Sequence, residues 1–445
     1  SYPPEVLSCS GVEAAYHVVY HLQIAAWSCF FGIDVLDGLY RVGMQWSLAL
    51  LILSAFLLGS RFCRNDAAGL LTAVLIFGAG LGFLFTSSQS VEWWSLTFID
   101  VTLVSVFLVN PLLPALPLLF CGFVCLDDYI ESGRRGVLVG CALLLLSLLR
   151  VKVFLGAQAI GGVVLAALLL RRDGTKRMRI AAGFLAVCTL PLLAPMVWGS
   201  GTGNTAIGWR PLEIVRYSME KLEWSESVQA LAEVGQWSMR PEALGWATSA
   251  TLVWALGFLG LRLVALPGWA SDLFSRSNPV RSSMACVVLI GFPVALLVRI
   301  APAEATGLSR LESINDVIWF AAQSGILLWF WTAETVIRFG KRSRTASAAA
   351  LAAAVAIALP CTLQHFTYKR SLGIDRVPAE AVEAARAVQE LSAAGEVWVE
   401  PPSRVRPSLV AYLAGRSVVH DGYVGYDYRF VPREDLEFRR HAVAQ

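Results

Sequence analysis

The stretch "LLLLSLLRVKVFLGAQ", residues 143–158, sets Arg150 and Lys152 between two apolar runs at 136–149 and 151–170. Ionisable residues inside apolar segments are costly to desolvate, so each marks a functional position by default. The far ends of both runs meet basic loops, "ESGRR" at 131–135 and "RRDGTKRMR" at 171–179. The two runs therefore read as a membrane hairpin whose cationic tip lies on the face opposite those loops. The first run reaches only roughly 21 Å at helical rise, which sets the tip below the surface of a ~30 Å hydrocarbon core. A cationic pair there suits a phosphate or pyrophosphate carried on a lipid, with Arg as a planar fork and Lys as a point charge. Snorkelling to lipid head groups is the plainer role for the same two residues.

The composition agrees with a membrane setting. Hydrophobic residues make up 56% of the 445, charged ones only 16%, and there are 15 tryptophans; mean hydropathy is +0.60. Ordinary soluble domains are nearer about a quarter charged, so the chain reads as a mainly α, polytopic transmembrane helical bundle in contact with the lipid bilayer. A net charge of only +3 gives no global basic field and argues against nucleic acid as a partner. The nine cysteines sit mostly in apolar runs without a CxxC pair, which predicts neither a disulfide framework nor a zinc site. The opening "SYPPEVLSCS" and closing "RRHAVAQ" read as the ends of a fragment truncated on both sides.

About ten apolar segments approach crossing length: 44–60, 67–87, 108–126, 136–149, 151–170, 180–199, 245–266, 282–300, 315–337 and 346–364. Basic clusters fall on alternate loops, at "RFCRN" 61–65, 131–135, 171–179, Arg276 with Arg281, and "GKRSR" 340–344. The positive-inside rule makes those loops cytoplasmic and places the loops near 88–107, 200–243 and 301–314 outside. Arg299, near the outer end of its segment, is a further cation of the same kind as Arg150. Glu334 and Arg338, four apart, predict a structural ion pair. In the first of those outer loops, "SSQSVEWWSLTFID" carries Trp93, Trp94 and Asp100; the Trp pair suits either a boundary anchor or a stacking platform for substrate. "EIVRYSMEKLEW" in the second predicts a short surface helix. The expected division is residues 1–43 as an outer loop with an interfacial helix, 44–364 as the bundle, and 365–445 as a small extracytoplasmic α/β domain. That tail combines a helix through Val382–Leu391, strands at 396–400 and 416–421, and a second helix between them.

Near the start, "GVEAAYHVVYHLQ", residues 11–23, places Glu13, His17 and His21 four apart. They share one face of a helix. Such a stripe faces water on an ordinary interfacial helix, and it also fits a catalytic or metal-binding edge.

Together, the outer "YHVVYH" helix, the cationic hairpin "RVKVF" and the α/β tail resemble the GT-C class of integral-membrane glycosyltransferases. The resemblance is one of architecture and covers most of the chain. It implies a donor sugar on a polyprenyl phosphate, transfer on the extracytoplasmic face of a bacterial inner or plasma membrane, and an acidic catalytic residue in the first outer loop. That acid is expected upstream of Ser1; in the visible part of the loop Glu5 and Glu13 are the acids before Asp34. Glu13, His17 or His21 would serve as base, Arg150 and Lys152 would stabilise the leaving phosphate, and Trp93, Trp94 and Asp100 would bind substrate. Some members of the class hold a divalent metal, for which Glu13, His17 and His21 are the available ligands. A secondary transporter, a lipid-linked polysaccharide polymerase or ligase of another fold, and a purely structural membrane protein are the competing expectations.

Overall fold

The computed structural model of the chain describes residues 18–33, 38, 42–86, 97–98, 112–170, 176–198, 205–235, 240–273, 278–302, 317–340, 343–364, 367, 379–393, 397–398 and 417–418. These are mainly helical. In chain order they form α1 (Val18–Phe31), α2 (Met44–Cys63), α3 (Asp66–Leu75), α4 (Phe83–Thr86), α5 (Leu112–Ser132), α6 (Arg135–Val151), α7 (Val153–Leu169) and α8 (Lys176–Trp198). Strand β1 (Thr205–Trp209), α9 (Glu213–Lys221), α10 (Ser225–Gly235) and α11 (Pro241–Leu259) follow. A 3₁₀ turn (Gly260–Ala265) leads into α12 (Leu266–Leu273), α13 (Pro279–Leu297), β2 (Val298–Pro302), α14 (Ile318–Gly340) and α15 (Arg344–Ala358). The tail contributes α16 (Ala379–Leu391), β3 (Val397–Trp398) and β4 (Ser417–Val418).

Local sequence explains several helix starts. Asn65 caps α3 by accepting from Ala68 N–H, Asn278 caps α13 by accepting from Val280 and Arg281 N–H, and Ser343 caps α15 by accepting from Ala346 N–H. Each side-chain oxygen satisfies a donor that the first helical turn leaves open. The centre of the bundle is α14, buried nearly all round and including Trp329 and Trp331 at 0% exposure. A helix apolar on every side belongs in a core or a membrane. Outward, Leu53, Leu70, Leu143, Val187, Leu190 and Leu252 are each more than 60% exposed. So wide an apolar surface fits an integral membrane protein.

Among the described residues four helical stretches are long and apolar enough to cross a membrane: Met44–Cys63, Leu112–Ser132, Pro241–Leu273 and Pro279–Leu297. The segment expected at 67–87 is not one helix. α3 stops at Leu75 and the backbone turns through 76–82 before α4, because "FGAGLG" brings glycines to a crowded crossing. A Cβ on Gly80 would collide with the carbonyls of Gly257 and Phe258, and one on Gly260, at φ +51, would lie 2.8 Å from Gly80 Cα. Backbone that leaves the helix inside an apolar bundle needs partners within the protein. Here Ala79 N–H donates to Ala358 O at 3.1 Å and the Thr362 hydroxyl to Phe77 O at 2.8 Å.

The basic loops converge on one end of the bundle. Arg61 pairs with Asp128, and Arg177 donates to the carbonyls of Ile130 and Glu131 at 2.7 Å. Arg281 donates to Phe62 O and Glu334, which also accepts from Arg338 at 2.6 Å. The Glu334–Arg338 pair expected from spacing is thus present, but as part of a larger network. In the tail, β3 and β4 pair in parallel, Val397 with Ser417 and Trp398 with Val418, within the stretches expected as strands at 396–400 and 416–421. The intervening helix expected there lies outside the described residues.

Candidate functional site

Lys152 is the single residue between α6 and α7. It takes an extended conformation, φ −153 and ψ 91, and its carbonyl accepts from Leu155 and Gly156 N–H to start α7. Gly156 makes the tight junction possible, since a Cβ there would lie 2.6 Å from Leu149 N. Lys152 is only 2% exposed and its ammonium sits 3.7 Å from the centroid of the Trp319 ring. An aromatic face offsets part of the desolvation of a buried cation, by about 2 kcal/mol or more. Arg150, two residues earlier, is exposed. The two cations thus share the junction but divide between its interior and its surface.

A layer of buried amides lies below. Gln158 donates to Ser324 Oγ and Val287 O, both at 2.9 Å, and Gln323 to Leu155 O at 3.3 Å. A Cβ on Gly291 would strike Gln158, and one on Gly162 would strike Val287. α7 and α13 therefore run antiparallel, which brings Leu297 level with Lys152.

From Leu297 the chain passes directly into β2, which pairs antiparallel with β1: Ile207 opposite Ile300, Gly208 opposite Arg299, Trp209 opposite Val298. Residues directly opposite share a face. One face of this ribbon is therefore apolar, with Ile207 75% and Trp209 53% exposed. On the other, Arg299 stands opposite Gly208. That arginine reaches a cleft of about 260 Å³ lined also by Arg210, Glu213, Arg216, Leu231 and Ala232. Glu213 Oε1 lies 3.3 Å from Arg299 and 3.9 Å from Arg216. Neither the ribbon nor this cleft was anticipated beyond Arg299 itself. The strand "VRIAP" closes an apolar run, and its partner lies some ninety residues earlier in the chain.

At the opposite, basic end, Arg281 makes a bidentate contact with Glu334 (2.7 and 3.0 Å) and donates to Asp272 at 2.6 Å. Trp331 also donates to Asp272, at 2.7 Å, and the Arg281 guanidinium lies 4.1 Å from the Phe62 ring centroid. Arg281, Asp272, Glu334 and Trp331 thus bond to one another from four directions, which marks the group as a clasp joining α2, α12, α13 and α14. Midway, Arg262 is fully buried between the rings of Phe258 and Trp329 and donates to the carbonyls of Leu259 and Phe258.

Of the other expected site residues, Glu13, His17, Trp93, Trp94 and Asp100 lie outside the described residues. His21 falls within α1, which packs against α6, the helix that carries Arg150. Among the described residues no three His, Cys, Asp or Glu side chains come together in a way that could hold a metal ion.

No family model and no curated protein matches the chain. Among solved structures, the Archaeoglobus fulgidus oligosaccharyltransferase, crystallised tethered by a disulfide to an acceptor peptide containing the NVT sequon, superposes with a TM-score of 0.49 at 12% identity. The match covers 99% of this chain and 61% of that one, so this chain spans less than two thirds of its length. A likeness of this size decides neither activity nor substrate.

Proposed function

We propose that the chain is part of an integral-membrane glycosyltransferase that moves a sugar from a polyprenyl-phosphate donor to an acceptor on the extracytoplasmic face of a bacterial plasma membrane. In this reading the ten apolar segments each cross the bilayer, the basic end is cytoplasmic, and the Lys152 end faces outward. The observation that carries the reading is the cationic junction of α6 and α7, with a lysine held dry over Trp319 and an arginine exposed two residues before it. In the transfer, the bond from the sugar C1 to the phosphate oxygen breaks and one from C1 to the acceptor hydroxyl forms. The hydroxyl proton passes to a base, for which Glu13, His17 and His21 stand nearest in sequence to α6's neighbour α1. The negative charge that grows on the leaving polyprenyl phosphate is stabilised by Arg150 and, through the field of a low-dielectric site, by Lys152. Trp93, Trp94 and Asp100 would contact substrate. A divalent ion would be held by Glu13, His17 and His21, and would lower the pKa of the attacking hydroxyl.

A secondary transporter is the second reading, favoured by the break at 76–82 and the 3₁₀ turn after Gly260, which meet beside the buried Arg262. Discontinuous helices of this kind line transporter sites. Reconstitution of the full-length protein in sealed proteoliposomes separates the two. The glycosyltransferase reading expects sugar to be consumed from a polyprenyl-phosphate donor without solute accumulation; solute uptake with an intact donor pool would overturn it.

A further inference from the structure

The cleft beside the β1–β2 ribbon is lined by neither Lys152 nor Arg150 and has its own chemistry. Three arginines against one glutamate leave two positive charges in excess among its lining residues, and Glu220, outside the lining, offsets one of them from 3.7 Å off Arg216. Glu213 is drawn between Arg299 and Arg216 on one oxygen only; its Oε2 is buried and has no hydrogen-bond partner among the described residues. Arg210 is exposed at the lip, where its side chain makes no ion pair among the described residues. The start of α9 adds to the positive field, because Leu212 provides no side-chain cap for the first amides of the helix. Planar guanidinium forks converging with open amides match the oxygens of a phosphate, and one acceptor beside them matches a neighbouring hydroxyl.

Its placement also has a physical reason. α13 is of membrane length and runs without a gap into β2, so the ribbon emerges at the bilayer boundary. Its exposed apolar face, Ile207 and Trp209, suits that boundary, and Arg299 points to the other side. We propose that this cleft is a phosphate-binding site opening on the aqueous side of the ribbon, with Arg210, Arg216 and Arg299 as the anion ligands and Glu213 as an internal competitor that the ligand displaces from the arginines. This site stands apart from the transfer reaction proposed above and does not require it.

The test is binding rather than turnover. Full-length protein in nanodiscs of neutral lipid is titrated with inorganic pyrophosphate at constant ionic strength, with tryptophan fluorescence or calorimetry as readout. Arg210→Gln and Arg216→Gln should each weaken binding about tenfold, the loss expected for one charge-assisted hydrogen bond. Glu213→Gln should strengthen it, and Lys221→Gln, on the same helix but outside the lining, should leave it unchanged. Saturable binding that polyprenyl phosphate in the bilayer displaces assigns the cleft to a lipid head group. Binding that it does not displace assigns the cleft to a water-borne phosphate ester. No saturable binding, or binding that is equal in Arg210→Gln, Arg216→Gln and Glu213→Gln, overturns the proposal. Because Arg210 makes no ion pair among the described residues, its variant tests the site even if Arg216→Gln disturbs α9.

Discussion

Lys152 and Arg150 lie two positions apart and meet opposite environments, so they should respond differently to substitution. Arg150→Gln is expected to leave folding unchanged, because the side chain is exposed. Lys152→Met takes a desolvated cation off the Trp319 face and is expected to lower stability in detergent by about 2 kcal/mol, the worth of such a contact. The clasp at the other end is also sensitive to a single substitution. Asp272→Asn takes one charge from a network in which Arg281 and Trp331 both depend on the same oxygen, and should cost roughly 3 kcal/mol in denaturant unfolding. A loss below about 1 kcal/mol would show that the network is not a structural clasp. On the surface helix α9, burial and then the nearby Glu220 carboxylate push the Tyr217 phenol from 10.0 up to about 12. Its folded-state pKa is raised, so the folded chain keeps a proton that the unfolded chain releases. Its contribution to stability is complete below pH 10 and disappears as pH approaches 12. Tyr217→Phe should flatten that part of the stability profile and remove a late-ionising phenol from the ultraviolet titration. Charged residues in apolar runs were legible from the sequence as candidate positions. What was not legible was that Arg150 and Lys152 would part company, because a one-residue link turns adjacent side chains to different sides.

The helices with plain apolar runs followed their sequence closely. α6 and α7 fall within a residue or two of the runs flanking Arg150, and the caps at Asn65, Asn278 and Ser343 mark where three others begin. Two elements escaped. The break after Leu75 depends on Gly80 meeting Gly257 near the end of α11 and Gly260 in the 3₁₀ turn that follows it, and hydropathy is blind to such a meeting. The β1–β2 ribbon depends on pairing across a long separation in sequence, where VRI reads equally well as the end of a span. These crossings can be tested by filling them. Gly260→Ala adds a Cβ at positive φ against Gly80 backbone and should cost about 2 kcal/mol or more. Gly136→Ala, where a Cβ meets nothing within 4 Å on α6, should be neutral or stabilising by up to about 1 kcal/mol. Equal melting temperatures for the two variants would contradict the crossing.

For the whole molecule, the gathering of basic loops at one end gives the positive-inside pattern a structural counterpart, because residues 61–62, 128–133, 177, 281 and 334–338 contact one another. Lys176 belongs to that end, and Lys221 follows the ribbon at the other; both are exposed. A membrane-impermeant amine reagent applied to intact cells should modify Lys221 and spare Lys176, read by peptide mapping. The reverse pattern would invert the orientation and move the cationic junction to the cytoplasm. The glycosyltransferase reading rests on that junction meeting a lipid phosphate. The most direct measurement is therefore the single-turnover rate of sugar transfer from a polyprenyl-phosphate donor by full-length wild type and by Arg150→Gln and Lys152→Met, with folding checked by gel filtration and melting temperature. Rates at least tenfold lower in both variants, at saturating donor, are predicted for groups that stabilise the departing phosphate. Wild-type rates in both folded variants would contradict the account.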